Sequence, residues 1–177
     1  MPLFHVDVFL HCAFSRKLSP TLKRSIQGVL KELPPALKRK KLKGRKPPYY
    51  INVSIVTPAQ IQRLNRTYRG KNRPTDVLSF STLDLPPLPS VQSDIGDLIL
   101  CWKVIQKQAK ENGVSEVEEL VRMAVHGTLH LFGYDHEKSA KEAKKMFAIQ
   151  ERLVERISKS FPDRGDRILF RRLARGK

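Results

Sequence analysis

From Phe4 the chain alternates, with Phe4, Val6, Val8 and Leu10 on one side and His5, Asp7 and Phe9 on the other. That two-residue period predicts a strand over residues 3–12. At Ser19-Pro20 the period lengthens. Leu22, Ile26, Val29 and Leu30 form an apolar stripe at helical spacing, with Ser19 expected as N-cap, Pro20 in the first helical position and Pro34-Pro35 as the stop. YYINVSIVT, residues 49–57, is rich in β-branched and aromatic residues and predicts a second strand. Thr57-Pro58 repeats the cap-and-proline signal, so a short helix should turn Ile61, Leu64 and Tyr68 inward and end near Gly70. DVLSFSTL at 76–83 and DLILC at 97–101 predict two further strands. Trp102 to Asn112 has helical period and stops at Gly113. Ser115, with Glu118 three residues on, then signals a capping box opening a helix through Phe132 that Gly133 ends. Residues 138–160 predict a last, strongly charged helix.

Between these elements, residues 36–48 (ALKRKKLKGRKPP) form a basic run bounded by prolines, expected as a loop, and DLPPLPSVQS at 84–93 reads as an irregular surface loop. Residues 162–177 form a basic tail. No internal repeat and no second domain boundary is visible. The expected fold is therefore α+β: one domain over residues 1–177, with a mixed four-stranded sheet packed with about five helices. Strand order cannot be read from the pattern.

Composition adds a partner to this picture. The chain has 177 residues, 40% of them hydrophobic, enough for one real core. Its 34 Lys and Arg against 17 Asp and Glu give a formal charge of +17, which points to a polyanion: nucleic acid first, an anionic membrane second. Aromatics are only 7%, so RNA affinity is expected to come from charge more than from stacking. No run of about eighteen apolar residues exists, and LFHVDVFLHC is broken by His5 and Asp7 without a basic leader, so neither a membrane span nor a signal peptide is expected. Cys12 and Cys101 stand apart in apolar contexts and are read as buried reduced thiols, consistent with the cytoplasm.

The candidate chemistry lies in HGTLHLFGYDH, residues 126–136, which holds three of the five histidines. His126 and His130 are four residues apart on one helix face and can share an ion. His136 lies beyond Gly133, where a left-handed turn can bring the chain back. Three imidazoles with an open fourth position describe a catalytic Zn²⁺ site rather than a closed structural one. The metzincin proteases share the spacing as HExxHxxGxxH, but Gly127 stands where their general base would be, so a peptidase is the minor reading.

HGTLHLFGYDH, preceded by LNRTYRGKNRPTDVLSF at 64–80 and IGDLIL at 95–100, resembles the YbeY family of bacterial metal-dependent endoribonucleases of ribosomal RNA maturation. The resemblance runs from about Tyr50 to Met146, with Ser81 replacing the usual proline after TDVLSF; the basic loop 36–48 and the tail lie outside it. It implies an α+β domain with the metal at the end of a central helix. It also implies His126, His130 and His136 as ligands of one zinc ion, and Arg69, in the N-x-x-[YF]-R stretch, as the functional arginine. The implied activity is zinc-dependent, single-strand-specific cleavage in late 16S rRNA 3′-end maturation and ribosome quality control, with ribosomal RNA and the small subunit as partners. Arg69 suits a phosphate whose charge grows during attack, and Lys71 and Arg73 suit flanking phosphates. Thr75 and Asp76 are expected to serve structure, Asp97 or Asp135 to accept a ligand imidazole's second N–H, and Met146 to pack in the core. His5 and His11 are assigned no metal. The rival to catalysis is a zinc-braced assembly factor that binds ribosomal RNA without cutting it.

Overall fold

The computed structural model describes residues 4–10, 18–86 and 93–159. Strand β1 (Phe4–Leu10) pairs in parallel with β2 (Tyr49–Ile55), β2 pairs in parallel with β4 (Asp94–Leu100), and β3 (Val77–Ser81) runs antiparallel along β4. The order β1-β2-β4-β3 makes the sheet mixed and four-stranded. Strand β4 begins three residues before the expected position 97, because its pairing with β2 continues back through fully buried Ile95 to Tyr50 and Asp94. Inward side chains of β2 alternate with partly exposed ones, as the period requires.

Six helices among the described residues accompany the sheet: α1 (Ser19–Glu32), α2 (Pro35–Lys41), α3 (Pro58–Arg69), α4 (Trp102–Glu111), α5 (Glu116–Leu131) and α6 (Ala140–Lys159). The sequence suggested about five. The additional one is α2, inside the basic run expected as a loop. Pro35 stands at the start of that helix, where its missing N–H costs nothing, and Ala, Leu, Lys and Arg after it are good helix formers. Residues 42–48 remain irregular. Ser19 is not the N-cap of α1: the helix has taken it in, Leu18 holds the cap position, and no side chain caps the end. Ser115 Oγ does accept from the Glu118 N–H at 3.1 Å, but the Glu118 carboxylate binds Arg122 instead of closing the box. The complete capping box lies at Thr57 and Gln60, opening α3. On α3 the buried positions are Ile61 and Asn65, with Leu64 half-buried, while Tyr68, expected inside, is 63% exposed and meets Phe80 edge-on.

Helix α5 is the centre of the molecule. It packs on β3 and β4 on one side and on α1, α4 and α6 on the others, and Leu120, Val121, Ala124, Val125, Leu129 and Leu131 are buried almost completely. Each such large aliphatic side chain contributes roughly 1.5–3 kcal/mol relative to exposure, which fixes the helix in place. Gly127 lets the helix lie this close to the sheet: a Cβ there would stand 2.8 Å from Leu98 Cδ2, 3.0 Å from Ser79 Oγ and 3.2 Å from Val77 Cγ2. Position 127 therefore faces the sheet, so the glycine that set this segment apart from a protease also has a packing reason. Met146 is fully buried, as expected for a core residue, and Cys101 is a buried free thiol whose burial pushes its pKa up. The expectations for His11, Cys12 and the tail from residue 162 fall outside the described residues.

Candidate metal centre and its cleft

Helix α5 carries His126 and His130 to its C-terminal end, on the face that leaves the sheet. There the helix stops in a Schellman turn: Gly133 N–H donates to the His130 carbonyl at 2.9 Å and Tyr134 N–H to the Leu129 carbonyl at 3.1 Å. Gly133 has φ +86°, the left-handed conformation that reverses the chain. His136 is thereby returned to the other two. The ring centroids lie 4.6, 5.2 and 5.1 Å apart for the three pairs, and one nitrogen from each ring falls within 4.8 Å of the others. His126 and His130 bring their Nε2 atoms to 3.1 Å.

This donor set fits a borderline transition metal such as zinc. Two imidazole nitrogens bound tetrahedrally to one ion at about 2.05 Å lie about 3.3 Å apart, close to the His126–His130 spacing. Protonation also favours it. Burial lowers the pKa of His126, and burial followed by the nearby His126 and His136 drives His130 down to about 4, so these imidazoles are neutral near pH 7. His126 Nδ1 lies 2.8 Å from Gln150 Oε1 on α6, and the Gln150 amide nitrogen has its own acceptor, Glu151 Oε1, at 3.0 Å. With Oε1 facing the ring, Nδ1 carries the hydrogen and Nε2 presents its lone pair to the cluster.

Neither aspartate expected as the acceptor fills that role. Asp97 is outside the cleft lining, on β4 opposite Phe80, and Asp135 accepts from the Glu137 N–H at 2.9 Å within the turn. A glutamine 24 residues beyond His126, on a charged helix, carries no local sequence signal. Phe147, also on α6, stacks on His136 with centroids 5.3 Å apart and planes at 28°.

The imidazoles open into a cleft of about 420 Å³ lined by Arg69, Lys71, Arg73, Asp76, Ser79 and Glu137, among others. The arginine and lysine arrive there by way of α3. Gly70 closes that helix with φ +68°, and the buried Asn65 donates to the Arg73 carbonyl at 2.8 Å, holding the loop 70–76 against the site. Asp76 is fully engaged, accepting from Val77 N–H, Thr75 Oγ1 and Gln108 Nε2 at 2.7–2.9 Å, the structural role expected of it. Arg69 donates to Glu137 Oε2 at 2.8 Å, and Lys71 lies 3.8 Å from Oε1 of the same carboxylate. Glu137, next to a candidate ligand, was not singled out from the sequence. Both partners of its pair with Arg69 are about half exposed, so the pair contributes at most about 1 kcal/mol and an incoming anion can displace it.

Comparison with known proteins adds the lineage. The model of a family described as endoribonuclease YbeY matches residues 14–158, a span wider than the stretch that carries the resemblance in the sequence and one that takes in the basic segment 36–48. A relative named endoribonuclease YbeY from Persephonella marina is 41% identical over 111 residues, 63% of this chain and 72% of its own. Another of that name from Bdellovibrio bacteriovorus is 38% identical over 138 residues, 77% of this chain and 87% of its own. The solution structure of TM1509 from Thermotoga maritima superposes with a TM-score of 0.54 at 30% identity, covering 91% of this chain and 99% of that one.

Proposed function

Since the chain belongs to the YbeY endoribonuclease family, we propose that it is a metal-dependent endoribonuclease whose reaction takes place in the cleft between His126, His130, His136 and Arg69. The observation that carries this reading is the convergence of three imidazole nitrogens in a cleft that also holds Arg69, Lys71 and Arg73. His126, His130 and His136 would hold one zinc ion, which when bound supplies a Lewis acid for a phosphoryl oxygen and lowers the pKa of a water to about 7. The protein's own groups do the rest. Arg69 offers two parallel donors to the non-bridging oxygens of the scissile phosphate, where charge grows as the nucleophile attacks. That phosphate takes the place Glu137 holds against Arg69 and Lys71, which frees the Glu137 carboxylate beside the reacting atoms to take a proton. Lys71 and Arg73 hold neighbouring phosphates. Gln150 fixes the His126 tautomer, and Phe147 covers one face of His136.

Glu137 is a carboxylate of the kind a metallopeptidase needs, but here it sits between two cations that suit a phosphate better than a peptide. The charge of +17 and the family support ribosomal RNA of the small subunit as substrate, with processing of the 16S 3′ end and ribosome quality control as the setting and the cytoplasm as the place. No helix among the described residues is long and apolar enough to cross a membrane. The test is cleavage of single-stranded RNA and, separately, casein by the zinc-loaded protein. RNA should be cut and casein left whole, and Arg69→Ala should lower kcat/KM on RNA by about a hundredfold or more. RNA that is bound tightly but left intact by the zinc-loaded wild type would make this a binding module and overturn the reading.

A further inference from the structure

Outside the cleft, the segment from Lys38 to Lys46 has the highest concentration of one charge. No Asp or Glu occurs between Glu32 and Asp76, an interval that holds twelve Lys and Arg, seven of them within Lys38–Lys46. Three of the seven have internal partners. Lys38 Nζ donates to the Leu30 carbonyl, Lys41 pairs with Asp84 at 2.7 Å, and the buried Arg45 donates to the carbonyls of Asp94, Thr82 and Leu85. The other four, Arg39, Lys40, Lys43 and Lys46, are exposed and make no ion pair among the described residues. Four like charges close in sequence, with no ion-pair partner among the described residues, repel one another, and Leu42, buried, and Leu37, packed on the core, fix α2 and the turn after it to the body.

Their position matters as much as their sign. Lys41 Nζ and Cε come within 2.8 and 2.9 Å of where a Cβ on Gly133 would stand, so the basic segment abuts the turn that returns His136 to the cluster. Lys41, between Lys40 and Lys43 in sequence, thus ties the basic segment to the turn that carries His136. We propose that Arg39, Lys40, Lys43 and Lys46 form a docking surface for the sugar–phosphate backbone of an RNA strand whose scissile phosphate lies in the cleft. This rests on the reading that the cleft takes RNA. A surface of exposed cations on a fixed helix and turn gains affinity by releasing counter-ions from several phosphates, without reading sequence.

The test needs no catalysis. Binding of a 20-nucleotide single-stranded RNA to the metal-free full chain is followed by fluorescence anisotropy over a salt series. Every phosphate that the protein no longer neutralises should reduce the slope of log K against log[salt] by about 0.7. The variant with Arg39, Lys40, Lys43 and Lys46 all changed to alanine is expected to bind at least tenfold more weakly at low salt, with the slope reduced by about 2–3. The charge-preserving variant Arg39→Lys, Lys40→Arg, Lys43→Arg, Lys46→Arg should retain both. If the alanine variant loses its native circular dichroism, Lys40→Ala and Lys43→Ala carry the test singly. Wild-type affinity and slope in folded alanine variants would overturn the proposal. So would loss of binding to phosphatidylglycerol vesicles with RNA binding unchanged, which would give the patch to a membrane surface. RNA that binds through the patch and is never cut would remove the function proposed above and leave the docking surface standing; cutting with patch-independent binding would do the reverse.

Discussion

Gln150 does for His126 what the sequence led us to expect of an aspartate: it accepts the Nδ1 hydrogen and leaves the Nε2 lone pair turned toward His130 and the cluster. The three histidines were legible because their spacing and Gly133 together describe a turn, whereas Gln150 and Glu137 became visible only when α6 and the loop after α3 were folded against α5. Gln150→Leu should weaken zinc affinity ten- to a hundredfold in competition with a fluorescent chelator, and an unchanged affinity would contradict this role. The imidazoles also set a pH dependence. His130 titrates near 4 in the folded chain and near 6.5 when unfolded, so the unfolded state binds more protons between those values. The stability of the metal-free protein should therefore be full above about pH 6.5 and fall as the pH is lowered toward 4. Urea unfolding at pH 7 and pH 5 with a chelator present checks it, and equal midpoints would count against neutral clustered imidazoles.

At the scale of elements, the strands and most helices followed from period and caps, because alternation and apolar stripes record which face meets the core. The misread positions were those where tertiary contact decided. Residues 35–41, which Pro35 and good helix formers favour as a helix, are held as one by Leu37 packing on the core, and Tyr68, on the same face as Ile61 and Asn65, lies in the last turn of α3, exposed and edge-on to Phe80. The approach of α5 to the sheet depends on Gly127. Gly127→Ala should destabilise by about 1–3 kcal/mol in chemical denaturation, since the Cβ meets Leu98, Ser79 and Val77. A loss below a few tenths would mean that the helix shifts freely. Helix α6, which brings Gln150 and Phe147, is tied to α5 by Arg122, which bonds Glu118, Glu119 and Glu151 at 2.9–3.3 Å. Because Glu119 is only 2% exposed, Arg122→Leu strands its charge and should cost about 3 kcal/mol by the same measurement; a change within about 0.5 kcal/mol would show that α6 docks without it.

Over the whole molecule, the proposed function asks charge and candidate metal centre to serve one ligand: a basic surface that would gather a polyanion stands beside a cleft that holds three imidazoles and an arginine. Net charge was plain in the sequence, but the meeting of the basic segment with the Gly133 turn depends on contacts between residues nearly a hundred positions apart. RNA affinity should fall steeply between low and high salt, and a flat dependence would assign the basic stretches to another task. The most direct measurement is RNA cleavage by the purified protein before chelation, after chelation and after return of zinc, with metal content determined at each stage and His130→Ala carried in parallel. The account predicts loss of cleavage on chelation, recovery at one zinc per chain, and neither bound zinc nor cleavage in His130→Ala. Undiminished cleavage by the stripped protein, or by His130→Ala, would contradict it.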